Sequence, residues 1–503
     1  MTTTQKLQQK LNDSKAARWT ALIIVSFTMM MAYFFTDVMG PLEAPLTTKG
    51  KLVYFENGTY LSADSLMKVC PTIENEESIT VGNIYKTEHI NENGETSTEE
   101  LTVSSTINGL GWSSNNYGFF SGAYGYINVF LLMLFFGGLI LDKMGVRFTG
   151  VMSTGLMFVG AAIKWYAVDN GFSGEIFGIP TQVALASLGF AIYGMGCEIA
   201  GITVTKVIAK WFTGHEMALA MGLEMAIARL GVFAVLSASP RLADKFGNIE
   251  APILFCVILL LIGLINFIAF SVMDIRLDKQ KGIVDGGSSE EEFKVSDLGK
   301  IFSSKMFWII ALLCVLYYSA IFPFQRFATN FLEETLMISN AEASGLFKWF
   351  PILAMVLTPF LGMFIDYKGK GASMMMVGAI IMVVCHSIFA FVLPAFPSKT
   401  LALVTILVLG VSFSLVPASM WPSVPKIIDE KILGSAYCLI FWVQNIGLCL
   451  VPMLIGTLRV STNGYVVPMI VFASFGVLAF LLSLALKVED KKKGYGLELP
   501  NKK

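Results

Sequence analysis

Apolar residues in this chain come in long runs, at 25–33, 129–136, 253–270 and 471–486 among others, each extended by Gly, Ser and Thr flanks. With those flanks the runs reach the roughly 20 residues an α-helix needs to cross a bilayer. Apolar windows and their breaks predict six helices near 19–40, 116–141, 148–168, 181–209, 217–240 and 251–274. Six more are expected near 306–328, 343–365, 372–394, 399–421, 434–457 and 464–487. The expected architecture is an all-α membrane protein of twelve spans in two six-helix bundles, 19–274 and 306–487, between tails at 1–18 and 488–503. A polar stretch over 274–305 with a Gly-Gly-Ser-Ser-Glu-Glu-Glu run joins the bundles and reads as a linker. Because the first apolar stretch runs a full span, it reads as a retained helix and not as a cleaved signal peptide.

Composition sharpens this picture. Hydrophobic residues make up 55% of the 503 residues and charged ones 15%, which excludes an ordinary soluble domain. A net charge of −1 leaves no basic face for nucleic acid. Six of the 7 cysteines lie in apolar segments, with only Cys70 in a hydrophilic one, so no disulfide framework is implied. Metal-ligand spacing, a phosphate-cradling Gly-rich loop and a nucleophile elbow are all missing from plausible contexts, so no cofactor is implied and an intramembrane enzyme is the least supported class. Gly194-Met195-Gly196 lies inside a span and reads as close helix packing.

Lysine and arginine set an orientation. Lys6, Lys10, Lys15, Arg18, Lys143, Arg147, Lys210, Arg276, Lys300, Lys305, Lys368, Lys370 and Lys426 fall on one side if the span count is even, which puts both termini and the linker in the cytoplasm. The long hydrophilic insertion 41–115 then becomes an extracytoplasmic cap, with Leu52-Val53-Tyr54 and residues 104–107 as candidate strands. Each half also carries the same signal after its second helix, from Gly138 through Asp142 to Arg147 and from Gly362 through Asp366 to Lys370. Two copies at matching positions argue for an internal repeat that locks a cytoplasmic gate. In that reading the glycine permits tight packing, the aspartate faces a helix N-terminus, and the basic residues meet lipid phosphates or a partner carboxylate.

Several stretches resemble a known family. Gly194-Met195-Gly196-Cys197-Glu198, Lys210-Trp211-Phe212-Thr213-Gly214-His215-Glu216, Gly222-Leu223 and Ala228-Arg229-Leu230-Gly231 are similar to the fourth and fifth helices of the lysosomal dipeptide transporter family of the major facilitator superfamily. Tyr317-Tyr318 with Phe322-Pro323-Phe324, Ser412-Phe413-Ser414-Leu415 with Trp421-Pro422, Leu433-Gly434-Ser435-Ala436-Tyr437 and Gln444-Asn445-Ile446-Gly447-Leu448 resemble its seventh, tenth and eleventh. The resemblance spans nearly all of the chain except the insertion, the linker and the tails. It implies two repeats about an axis along the membrane normal, with the solute site between them at the midplane. It further implies that Glu198 and Arg229 serve the charged ends of a dipeptide, and that Asp37, one turn beyond Tyr33, matches a functional aspartate of helix one. The insertion, and the added positive charge of Arg326 and Lys348, depart from the family pattern.

Ionisable residues inside the spans single themselves out, since a charge at bilayer depth costs roughly 3 kcal/mol and must be paired or wet. They are Asp37, Lys164, Glu198, Lys206, Glu224, Arg229, Arg326, Lys348 and His386. Glu198 and Arg229 can form a structural ion pair, or a clamp in which the carboxylate faces an ammonium and the guanidinium grips a carboxylate. Asp37 reads as a cavity-facing or proton-titrating residue, Glu224 as a gate residue near Lys206 or His215, and His386 as packing. Tyr33, Tyr124, Tyr126, Tyr317, Tyr318, Trp421 and Trp442, with Gln444 and Asn445, are candidate cavity lining.

The leading expectation is a carrier for a dipeptide or similar zwitterion, with protons a candidate coupling ion. An organic-anion carrier built on Arg229, Arg326 and Lys348 is the second reading. A receptor or scaffold that docks an accessory protein on the cap is a third, from another class. A bacterial inner membrane is the expected location, or a lysosomal membrane in a eukaryote.

Overall fold

The computed structural model describes residues 11–90, 96–212, 217–281, 299, 301–428 and 433–500. The first half holds α1 (Lys15–Thr36), α2 (Ser114–Gly122), α3 (Tyr126–Phe130), α4 (Met133–Asp169), α5 (Thr181–Phe212), α6 (Met217–Phe246) and α7 (Glu250–Lys281). The second holds α8 (Lys305–Leu336), α9 (Asn340–Phe347), α10 (Trp349–Lys368), α11 (Gly371–Ser387), α12 (Lys399–Met420), α13 (Leu433–Thr462) and α14 (Val466–Lys493). Serine begins several of them: the side chains of Ser14, Ser113, Ser304, Ser339 and Ser398 each accept a backbone N–H three residues on, which satisfies an otherwise orphaned donor.

Among the described residues, 11 helices are long and apolar enough to cross a membrane. The expected span over 116–141 is not one of them, because it is not continuous. It runs as α2, a 3-10 turn over Ala123–Gly125, and α3, then breaks at Leu132 (φ 52°) before α4 begins. Glycine explains much of this. Gly118, Gly122 and Gly125 weaken the helix locally, and they let it lie against the α13 backbone. A Cβ on Gly122 would stand 2.3 Å from the Cys449 carbonyl oxygen, and one on Gly118 2.5 Å from that of Pro452. Gly456 answers from α13, where a Cβ would meet the Ser114 carbonyl oxygen at 2.3 Å. This is the small-residue crossing that brings membrane helices together. A second irregularity lies within α4 at Gly145 (φ 75°, ψ 173°), the turn between the spans expected at 116–141 and 148–168.

The insertion is a small folded unit. Strands β1 (Lys49–Phe55), β2 (Tyr60–Ser62), β3 (Ile84–Ile90) and β4 (Thr96–Leu110) form an antiparallel sheet in the order β2-β1-β4-β3. Both patches expected as strands lie in it, with Leu52 opposite Ile107 and Val53 opposite Thr106. Alternation sorts the side chains: Val53 and Phe55 join Leu66, Ile79, Leu101 and Val103 in a separate core. Leu52, Tyr54 and Ile107 turn to the helices and join the main core.

Candidate solute-binding site

Glu198 sits near the middle of α5, and Tyr124 donates a 2.9 Å hydrogen bond to its carboxylate. The close crossing that aligns them depends on Gly194, where a Cβ would lie 2.1 Å from the Tyr124 carbonyl oxygen, so the Gly-Met-Gly step is packing, as expected. Arg229 on α6 donates to the Thr358 hydroxyl of α10 at 3.0 Å and stands 5.1 Å from the Phe413 ring. Both side chains are half-buried. Among the described residues, the hydrogen bonds of Glu198 and Arg229 go to neutral hydroxyls and not to each other. Tyr33 of α1 is 36% exposed, yet it stands within electrostatic range of Glu198, Glu224 and Arg229. This partly open side chain thus neighbours both Glu198 and Arg229. Tyr318 of α8 accepts from the Trp421 indole at 3.0 Å and supplies an aromatic wall from the second half.

Several expected residues stand elsewhere. Asp37 is 8% exposed and accepts from Gln325 at 2.7 Å, so it faces the seam between the halves and no open cavity. Arg326 is likewise buried, and its guanidinium donates to the Ser121 carbonyl while Tyr117 donates to its own carbonyl at 3.0 Å. Lys348 lies 6.0 Å from the Phe233 ring. Asn445 is fully buried and donates to the Phe441 carbonyl of its own helix at 3.0 Å. Gln444, also buried, accepts from the Cys314 thiol at 3.5 Å. Glu224 stands within electrostatic range of Tyr33, and His215, one of its two expected neighbours, lies outside the described residues. The physical reason is common to these: an expected helix position sets depth, whereas rotation about the axis decides whether a side chain meets the seam, the cavity or its own helix.

The seam is closed at the insertion end. Besides the Asp37–Gln325 and Arg326–Ser121 contacts, Glu43 meets Arg459 at 2.5 Å and accepts from Tyr465 at 3.2 Å. Arg459 also pairs with Glu334, and Asn340 donates to the Pro41 carbonyl. Tyr54 of the insertion joins by donating to Glu333 at 3.2 Å, while Asn108 and Ser105 tie β4 to Gly247 and Asp244 beside α6. A cavity of about 680 Å³ opens along this seam, lined by residues of the β1–β2 turn, the end of α6, and Ser339 to Glu342.

At the opposite end, ion pairs between described residues stay within one half. Arg147 meets Asp278 at 2.9 Å, and Lys210 meets Asp274 and Asp278 at 2.7 and 2.8 Å. The expected carboxylate partner of Arg147 thus comes from α7. The side chains of Asp142 and Asp366 lie outside the described residues. Among the described residues Gly138 and Gly362 have no close packing partner, since a Cβ on either would meet none of them within 4 Å. Lys370 caps α11 with φ 64°, its N–H donating to Glu498 at 3.0 Å. The C-terminal segment therefore clasps the second copy of the repeat, helped by a 2.8 Å bond from Ser373 to Glu498. Lys487 in turn donates to Ser373 at 2.6 Å.

Two clusters escaped sequence reasoning, the glycine crossing of α2 with α13 and the Glu43–Arg459–Tyr465 lock. Gly118 and Gly122 stand four residues apart, a signal that could have flagged the first. Partners 416 residues apart left none for the second.

The family model described as Major Facilitator Superfamily matches residues 101–452. The chain belongs to that superfamily. It is a multi-pass membrane transporter. The lysosomal dipeptide transporter MFSD1 of Bos taurus is 26% identical over 390 residues, covering 76% of this chain and 79% of that protein. Its Homo sapiens counterpart is 25% identical over 384 residues, covering 74% and 78%. The resemblance drawn from the helix motifs and these relatives agree. Among solved structures, a D-xylose–proton symporter superposes with a TM-score of 0.60 at 14% identity, covering 92% of this chain and 97% of that one. The nucleoside transporter NupG gives 0.61 at 12%, covering 92% and 99%. At such identities these two speak for the fold alone.

Proposed function

We propose that this transporter carries a dipeptide or a similar small zwitterion by alternating access, with Glu198 and Arg229 as opposite poles of one binding cavity. The observation that carries this reading is that the two charges lie at mid-depth in the first half and neither neutralises the other. Each is held by a neutral hydroxyl, Glu198 by Tyr124 at 2.9 Å and Arg229 by Thr358 at 3.0 Å. An ammonium bound at Glu198 and a carboxylate at Arg229 would complete both, the guanidinium gripping in bidentate fashion. The dipeptide transporters among the relatives support the solute class. An organic-anion cavity is less supported, because Arg326 is engaged in the seam and Lys348 lies by Phe233.

The positive-inside distribution supports a cytoplasmic linker and termini with the insertion outside, so the cross-half contacts at the insertion end would close the outward side. Its relatives' lysosomal membrane favours an organelle over the bacterial inner membrane as its location. The same sites would serve either uniport or proton coupling.

Four proteoliposome uptake measurements test the clamp: Glu198→Gln, Arg229→Ala, and the swap Glu198→Arg with Arg229→Glu, against the parent. Loss of a charged hydrogen bond in a dry cavity costs roughly 2–5 kcal/mol, so each single change should abolish dipeptide uptake while the melting temperature holds. The swap should not recover it, since the polarity offered to the solute is reversed. Intact uptake in either single variant, or recovery in the swap, would overturn the proposal.

A further inference from the structure

Lys164 of α4 is fully buried, and its ammonium has no hydrogen-bond partner among the described residues. Three rings surround it instead, Phe35 of α1 at 4.3 Å, Phe190 of α5 at 4.5 Å and Phe120 of α2 at 5.1 Å. The α4–α5 crossing beside it is tight, a Cβ on Gly189 falling 2.6 Å from the Lys164 backbone nitrogen. Such a box offers an ammonium the attraction of ring quadrupoles, less than the cost of its desolvation. Removing an ion from water costs several kcal/mol, so the rings alone do not account for a cation here. The carboxylate that could complete it is close by. Asp37, at the end of α1, stands within electrostatic range of both Lys164 and Arg326. In the closed seam, however, Asp37 is bonded to Gln325 of α8 at 2.7 Å.

The distribution of these groups between the halves is informative. Asp37 and Lys164 both belong to the first half, Gln325 and Arg326 to the second. When the insertion end opens, α8 withdraws and takes Gln325 and Arg326 with it. Asp37 would then be left without a partner at bilayer depth, a state disfavoured by several kcal/mol, unless a cation of its own half replaces them. We infer that Lys164 is a positioning residue of the transport cycle: the alternate partner of Asp37, held in its aromatic box while the seam is closed and engaged with the carboxylate when the seam opens. The exchange leaves Asp37 compensated in both states, so opening at this end carries no orphaned charge. This rests on the alternating-access reading above but not on the identity of the solute.

Pulsed EPR between spin labels at Phe177→Cys and Phe396→Cys, exposed sites at the insertion end of either half, reads the open and closed populations without any solute. These are placed in a background lacking the native cysteines. Lys164→Met should deplete the open population by about tenfold or more while leaving the melting temperature unchanged or raised, because the box itself prefers an apolar occupant. Lys164→Arg should retain the parent distribution, and Asp37→Asn with Lys164→Met should restore it, there being no carboxylate left to compensate. Should Lys164→Met not accumulate, Lys164→Gln carries the same expectation. An unchanged distribution in the Met or Gln variant, a double variant that stays closed, or a parent that never opens at this end would each overturn the inference. If the populations shift as expected and dipeptides are not taken up, the exchange stands and the solute assignment falls.

Discussion

Replacing Gly122 with alanine separates the stability of a helix from the stability of a conformational state. The added Cβ would stand 2.3 Å from the Cys449 carbonyl oxygen and 3.2 Å from the Met453 side chain. The nearer contact is backbone, so the α2–α13 crossing must widen, at an overpacking cost of about 1–3 kcal/mol. Alanine also favours the helical conformation over glycine by about 1 kcal/mol, but that gain is the same whether the seam is open or closed. The difference between states is therefore the clash alone. It applies only while α13 lies against α2, and it should raise the ratio of open to closed by roughly 5–150-fold. Ser121, one residue away and 1% exposed, reports it: labelling of Ser121→Cys by an impermeant maleimide in a cysteine-free background should accelerate by that factor. Gly155→Ala, with nothing within 4 Å of the new Cβ, should leave the rate alone. Equal labelling in the two glycine variants would refute the reasoning, whatever happened to uptake.

Two further outcomes follow from the opposite end. Asp274 is fully buried and accepts from Trp211 at 2.9 Å and Lys210 at 2.7 Å, so Asp274→Ala should destabilise the first half by about 1–3 kcal/mol, read as a lower melting temperature in detergent; an unaltered melting temperature would count against its anchoring role. Truncation after Lys493 removes the acceptors of the Lys370 and Gly371 N–H groups, and a Ser373→Cys reporter should then label several-fold faster, whereas an unchanged rate would show that the clasp does not shield the start of α11.

Depth in the membrane was legible in the sequence, and rotation was not. Runs of apolar residues located the spans, the repeated signal from Gly138 to Arg147 and from Gly362 to Lys370 located the linker-end turns, and the residues around Glu198 and Arg229 pointed to the superfamily. The span over 116–141 failed as a continuous helix because its hydropathy is sufficient while its glycines serve contact with a helix more than 300 residues away, which no local window registers. Asp37 and Arg326 were correctly marked as exceptional charges, but their partners, Gln325 and the Ser121 carbonyl, are a neutral side chain and a backbone group that no charge count selects. Lys164 was noticed for its charge and passed over, because the aromatic rings that surround it come from three different helices.

The insertion straddles the seam: β4 is tied to the end of α6 through Asn108 and Ser105, while Tyr54 reaches Glu333 of the other half. The cavity between them, walled by Asn57, Gly58 and Glu342, is an epitope assembled from both halves, and it exists only while they are together. An antibody fragment raised against that composite surface would distinguish one state of the transporter from the other, and by occupying it would hold the molecule still. The extra sequence thus supplies a handle for trapping a protein whose remaining surface is mostly lipid-facing helix.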